Sequence, residues 1–243
     1  MNFENRTVVI SGASSGMGEA IMNSLLEKGA YVVGCGIEPE MKTRHPRAEY
    51  VQADLTVPAQ AAAVAEKAAA RTGSIQHLVC CAGVTMIGSL EQTDYSRFMR
   101  EIEINLGGTF NLCKAVLPHM NKDENATVVT IGSDLGVRPI PERIGYCPSK
   151  AGVLMLTRCI ALEYAPHIRA NCILPGLVRT PMIEDRFAQA EDPAALERQF
   201  ASMYPLDRMG TLRDIVDAAC FLLGSESGFV TGAALPVCGG SLI

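Results

Sequence analysis

A short apolar run that breaks directly into a glycine-rich turn and then into an amphipathic helix is the most restrictive feature of this chain. Thr7-Val-Val-Ile-Ser11 is rich in β-branched residues and suits a strand buried on both faces. It passes straight into Gly12-Ala-Ser14-Ser15-Gly16-Met17-Gly18, after which Ile21, Met22, Leu25 and Leu26 recur at helical spacing until Gly29. Glycine lets the backbone take positive φ and lets a ligand approach, while the free N–H groups and positive end of the helix attract a pyrophosphate. Gly12, Ser14, Ser15, Gly16, Met17 and Gly18 are therefore candidate cofactor contacts. The spacing is G-x-x-x-G-x-G, not the dinucleotide fingerprint G-x-G-x-x-G, and a tight turn without a ligand is the competing explanation.

The pattern then repeats. Residues 30–35 read as a second strand ending at Gly36, Ile37 and Glu38. In a dinucleotide fold an acid at this point favours a free ribose 2′-hydroxyl, whereas arginine accommodates a 2′-phosphate. No Lys or Arg occurs between Gly29 and Lys42, and Ser15 is not basic, so the reading favours NAD over NADP, with Glu38 either the acid at this point or a solvated loop charge. Residues 50–53 form a third strand, and Asp54 and Leu55 follow it; Asp54 is suited either to an adenine amino group or to local capping. Thr56 and Pro58 mark the start of an alanine-rich helix running to Arg71 and closed by Gly73. The fourth strand spans 77–81, and Ala82 and Gly83 leave its end bare for cofactor contact. This strand–helix alternation predicts an α/β fold, a doubly wound parallel Rossmann-like sheet, as a single domain over residues 1–243.

Further along, a helical pattern covers about 95–120, with Asn105 midway and Gly107-Gly108 interrupting it. Asparagine competes for backbone hydrogen bonds, so a kink or a surface position is expected there. A fifth strand at 127–131 delivers Ser133 at its carboxyl end, where ligands gather in such sheets. A sixth strand covers 169–174, and a last one 233–237 follows a helix at 214–223. Between them, residues 182–205 carry amphipathic spacing that suits either a substrate lid or a plain packing pair.

Gly145-Tyr146-Cys147-Pro148-Ser149-Lys150 carries the chemistry. On a helix, four residues of separation put the phenol and the ammonium on one face, about 5–6 Å apart at Cβ. A neighbouring cation stabilises the phenolate and makes the tyrosine usable as a general acid or base. Ser133 can supply a hydroxyl to a substrate oxygen as charge develops on it. Alone, Y-x-x-x-K is a weak signal; what raises it is the chain upstream.

Composition excludes several alternatives. The formal net charge is -5 with no basic run, which disfavours nucleic acid and anionic membrane surfaces as partners. No apolar stretch is long enough to cross a bilayer, and no signal-peptide core precedes the first strand, so a cytoplasmic protein is expected. The nine cysteines and four histidines are dispersed without metal-ligand spacing, which reads as reduced thiols and no metal site.

Taken together, these residues resemble the short-chain dehydrogenase/reductase family in its short, single-domain form, over essentially the whole chain. The family's T-G-x-x-x-G-x-G stands here as Ser11 to Gly18, its asparagine as Asn105, its serine as Ser133, its Y-x-x-x-K as Tyr146 and Lys150, and its P-G-x-V-x-T as Pro175 to Thr180. The resemblance implies proton transfer at Tyr146, a Lys150 that holds the nicotinamide ribose, a Ser133 that orients the substrate oxygen, and an Asn105 that holds a relay water. It further implies that Val178 and Thr180 fix the carboxamide, and that the protein is a homotetramer. The implied reaction is hydride transfer between the nicotinamide and a secondary alcohol or ketone, cyclic substrates included. An NADPH-dependent 3-oxoacyl-carrier-protein reductase is the alternative enzyme, and a non-catalytic dinucleotide-binding regulator the alternative of another class. Four positions depart from the pattern: Ser11 for threonine, Cys81 for the asparagine of N-A-G, Gly36 for the strand-end acid, and Cys238 for the aspartate of D-G-G.

Overall fold

The computed structural model describes residues 2–120 and 126–243. Among these residues seven strands, β1 (Thr7–Ser11), β2 (Tyr31–Gly36), β3 (Ala48–Gln52), β4 (His77–Cys80), β5 (Ala126–Ile131), β6 (Ile168–Pro175) and β7 (Ala234–Val237), form one sheet in the order β3-β2-β1-β4-β5-β6-β7. Every pairing is parallel. The strand order reverses between β1 and β4, which puts a crevice at their carboxyl ends, as the doubly wound expectation requires.

Helices cover both faces. On one side α1 (Gly16–Glu27) and α8 (Leu212–Leu223) pack Ile21, Leu25, Ile215 and Leu222 against Val8 and Ile10 of β1. Val9, between those two, points to the opposite face, where α2 (Pro58–Thr72), α4 (Gly108–Val116) and α5 (Tyr146–Tyr164) supply Val64, Leu112 and Ile160. The strand's period of two thus feeds two separate cores, which is why the run reads as continuously apolar.

Local chemistry accounts for most boundaries. Pro58 opens α2 after Val57, so Thr56 lies outside the helix, and Gly73 ends it at φ +80. β3 begins two residues earlier than its apolar residues suggest and stops at Gln52. The expected helix over 95–120 is three pieces: α3 (Tyr95–Ile102), one π-helical turn Glu103–Gly107, and α4. The interruption is centred on Asn105 and not on the two glycines. α6 (Pro181–Ala188) and α7 (Pro193–Ala201) occupy the amphipathic stretch before α8.

Candidate active site

The carboxyl ends of β1, β2, β4, β5 and β6 open onto one cleft of about 520 Å³. At its floor lies the glycine turn. Gly12 and Gly16 have φ of +66 and +60, and a Cβ on Gly18 would stand 2.2 Å from the Gly12 carbonyl oxygen, so α1 can approach β1 this closely only without a side chain there. Ser15 is the N-cap of α1, yet its side chain caps none of the first-turn amides. Those amides, together with Ser14, Gly16, Met17 and Gly18 on the cleft wall, form the kind of cradle a pyrophosphate fits. Ser11 fastens the turn to the neighbouring strand end: its Oγ accepts from the Cys81 and Ala82 amides over 3.0 and 3.1 Å. The strand end that has Cys81 in place of asparagine is therefore held from β1.

At the end of β2, Glu38 reaches back over Gly36. Ser14 Oγ donates to Glu38 Oε2 over 2.7 Å, and Tyr50 Oη donates to the Glu38 carbonyl over 3.1 Å. Burial, reinforced by the Glu38 charge, pushes the Tyr50 phenol up to about 12, so it remains a donor. Asp54 and Leu55 line the next part of the wall. Asp54 Oδ1 accepts from the Thr56 amide and hydroxyl over 2.9 and 2.7 Å, and these bonds hold its carboxyl below the usual range. These bonds close a turn ahead of α2 and do not cap the helix, whose N-cap is Val57. Ile37 lines the same wall, as do Arg100 and Ile104 of the α3 side, for which the sequence offered no signal.

Ser133, Tyr146 and Lys150 line the opposite end of the same cleft, with Ala82, Gly83, Val178 and Thr180. Tyr146 is the first residue of α5, and Lys150 lies one turn on, its Nζ 5.8 Å from the phenol ring centroid. Lys150 is buried, and its Nζ donates to the Ile131 carbonyl over 2.9 Å, which fixes the ammonium between β5 and α5. Asn105 is not on the cleft wall. Fully buried in its π-helical turn, it accepts from the Val84 amide over 2.7 Å and donates to the Val84 carbonyl and to Ser149 Oγ, each over 2.9 Å. A Cβ on Gly83 would lie 3.0 Å from Asn105 Oδ1 and 3.2 Å from Lys150 Nζ, so this bare residue is what brings the two together.

Glu101, one turn before Asn105, is a buried acid that sequence reasoning passed over. It accepts from the Met86 amide over 2.9 Å, and burial pushes its carboxyl up against the opposing pull of that bond and of Arg143, Arg97 and Lys150. The i, i+4 spacing of Glu101 and Asn105 signals only a shared helix face; that the face is buried depends on packing that no local pattern shows. Above the cleft, α6 and α7 share an apolar cluster of Phe187, Phe200 and Met209 joined by Ile183 and Leu196. Arg179 pairs with Glu184 and with Glu197 at the same level. The side chain of Met182, where the expected lid begins, lies outside the described residues. Among the described residues no cluster has the makings of a metal site, and no helix is long and apolar enough to cross a membrane. All nine cysteines are free thiols.

A parallel sheet whose switch-point crevice holds a glycine turn at one end and a tyrosine–lysine pair at the other defines a dinucleotide-dependent oxidoreductase fold. The family model described as Enoyl-(Acyl carrier protein) reductase matches residues 12–241. Oxidoreductase UcpA of Escherichia coli O157:H7 is 36% identical over 250 residues, covering 98% of this chain and 95% of that protein. The crystal structure of Short-chain dehydrogenase/reductase SDR:Glucose/ribitol dehydrogenase from Brucella melitensis superposes with a TM-score of 0.92 at 30% identity, covering 100% of both chains. ElxO with NADP bound superposes with a TM-score of 0.91 at 28% identity, covering 98% of each. This chain belongs to the short-chain dehydrogenase/reductase family, whose members are oxidoreductases that bind nicotinamide cofactors.

Proposed function

We propose that this protein transfers a hydride between NAD and a secondary alcohol or its ketone, cyclic substrates included, with Tyr146 as general acid and base. The supporting observation is that Tyr146 and Lys150 share one cleft with the Gly12–Gly18 turn, and do not face bulk solvent on a remote helix. The dinucleotide, when bound, supplies the carbon that gives or takes the hydride. Tyr146 gives its phenolic proton to the substrate oxygen during reduction and takes it back during oxidation. Lys150, anchored on the Ile131 carbonyl, stabilises the phenolate and holds the nicotinamide ribose. Ser133 orients the substrate oxygen, and Asn105, its side chain fixed by Val84 and Ser149, holds a relay water behind the lysine. Val178 and Thr180 fix the carboxamide; Thr180 lies directly over Gly16, whose added Cβ would stand 3.9 Å from its methyl group.

Glu38 supports NAD over NADP. Its carboxylate occupies the notch above Gly36, where a 2′-phosphate would meet negative charge and a ribose hydroxyl would meet an acceptor. ElxO, at 28% identity, binds NADP, so the preference is assigned to this chain's own residues. A second reading, an NADPH-dependent 3-oxoacyl-carrier-protein reductase, draws on the acyl-carrier-protein description of the matching family. A lid of α6 and α7 over the substrate and a cytoplasmic homotetramer complete the proposal. Phe110, Met155 and Leu162, exposed on α4 and α5, supply an apolar face for subunit contact.

The test is a panel of secondary alcohols and matching ketones, cyclohexanol and cyclohexanone among them, with acetoacetyl thioesters as a further arm, each run with both cofactors. Turnover of an alcohol–ketone pair with NAD(H) above NADP(H) is expected. Thioester reduction with NADPH alone would favour the second reading, and dinucleotide binding without any turnover would mark a non-catalytic regulator.

A further inference from the structure

Among the described residues, seven hydroxyl-bearing side chains line the cleft, and six of them already have a task. Ser14 donates to Glu38 and Thr56 to Asp54. Ser15 stands at the head of α1 in the pyrophosphate cradle, while Thr180, Ser133 and Tyr146 serve the carboxamide and the reacting oxygen in the reading above. The seventh is Thr85, exposed on the cleft wall, whose Oγ1 makes no hydrogen bond among the described residues. Its backbone neighbours are nonetheless held firmly. Val84 exchanges two bonds with the Asn105 amide, Met86 gives its amide to Glu101 over 2.9 Å, and the Ile87 carbonyl accepts from Arg97 over 2.7 Å. Residues 97, 101 and 105 are four apart, so one face of α3 and its π turn stitches the loop after β4 at three successive points.

The same stitching ties Thr85 to the catalytic pair. A Cβ on Gly83, two residues before it, would stand 3.2 Å from Lys150 Nζ, and Glu101 lies against Gly145, the residue that precedes Tyr146. Thr85 thus stands at the substrate end of the cleft, on a loop whose position is set before anything binds. We propose that Thr85 is a substrate-binding residue whose hydroxyl pairs with a second oxygen of the substrate, so that the class turned over best is diols and hydroxyketones rather than plain secondary alcohols and ketones. A threonine hydroxyl donates to a carbonyl or hydroxyl oxygen and accepts from a hydroxyl, so it serves the diol and the hydroxyketone alike. A hydrocarbon edge laid against it would strip Oγ1 of water and return nothing, whereas a second oxygen restores the bond, with no further ordering of the loop. The diol still gives its hydride to the nicotinamide and its proton to Tyr146, leaving a hydroxyketone. This inference names the substrate class of the site and rests on the hydride-transfer reading above.

Each diol is compared with the analogue in which a methyl group replaces the second hydroxyl: cyclohexane-1,2-diol with 2-methylcyclohexanol, and butane-2,3-diol with 3-methylbutan-2-ol, all with NAD. The wild type should favour the diol in at least one pair, as a ratio of kcat/KM values. Thr85→Val puts a methyl group where the hydroxyl was at nearly the same volume, and should lower that ratio by about three- to tenfold, the range that one hydrogen bond carries. Thr85→Ser should keep it, and Thr85→Ala carries the test should Thr85→Val fail to fold. A threonine that merely shapes the loop would change kcat/KM for both members of a pair together. A wild-type ratio at or below one in both pairs, or a ratio that loss of the hydroxyl leaves in place, overturns this proposal alone. No wild-type turnover of any compound, the wider panel included, overturns the hydride-transfer reading and this inference with it.

Discussion

Ser14 Oγ donates a 2.7 Å hydrogen bond to Glu38 Oε2 across the space left by Gly36, joining the glycine turn to the end of β2. Glu38→Gln keeps the shape but not the charge. It should lower the preference for NADH over NADPH, as a ratio of kcat/KM values, by about tenfold. Steady-state kinetics with both cofactors measure this, and an unaltered ratio would remove Glu38 from cofactor selection. Adding an acid at Gly36 is not the simple converse. A Cβ there would sit 2.9 Å from both Glu38 Oε2 and Tyr50 Oη, so Gly36→Asp must displace Glu38 before it can act.

Tyr146→Phe retains the ring beside Lys150 and deletes the transferable proton. Dinucleotide affinity, read by fluorescence of the reduced cofactor, should stay near wild type while kcat drops by about 10²–10⁴. Near-normal turnover would end the acid–base assignment.

Asn105→Ala would strip Val84 of both its side-chain partners and Ser149 of one donor. Leaving such groups buried costs about 1–3 kcal/mol each where no substitute is found. Urea unfolding should therefore show a loss of stability separate from any kinetic effect; an unchanged midpoint would mean that water replaces the amide fully.

His77 gives a pH prediction. It is buried on β4 against Phe3 and bonded to Thr127 Oγ1 over 2.7 Å, and burial, aided by the charges of Arg6 and Arg169, pushes it down to about 3. Between that value and the unfolded value of about 6.5 the unfolded chain binds the extra proton, so stability is present above the unfolded value and is lost on acidification. From pH 6.5 to 5 the loss attributable to this residue is about 2 kcal/mol. A His77→Gln variant should show a flatter stability profile across that window; an equally steep one would place the effect elsewhere.

Much of this architecture was legible because strands such as β1 and β5 are β-branched runs that give way to glycine, as at Ser11-Gly12 and Ile131-Gly132; β3, with one β-branched residue, was placed two residues short at its start. Tyr146 and Lys150 were legible because helical geometry alone sets their relation. What stayed hidden depends on contacts between distant parts of the chain. Ser241 meets Asp134 across 107 residues, and no local pattern encodes that meeting. Glu38 could be named as an acid but not seen to fill the notch over Gly36, since that depends on where Ser14 stands. The turn around Asn105 was half legible: the asparagine gave reason to expect a kink or a surface position, but nothing in Glu103-Ile-Asn-Leu-Gly107 distinguishes a π turn from ordinary helix or foretells that Asn105 is fully buried.

That widened turn sets a limit on redesign. Converting Glu103–Gly107 to regular α pitch with all five residues kept would look like an improvement by any measure of helical regularity. Yet a one-residue slip rotates everything beyond it by about 100°. Either Asn105 would swing off Val84 and Ser149, or α4 would turn Leu112 and Val116 out of the core they now fill. Straightening the rod and keeping both ends aimed are mutually exclusive here, so consensus-style smoothing of this segment should be expected to inactivate before it stabilises.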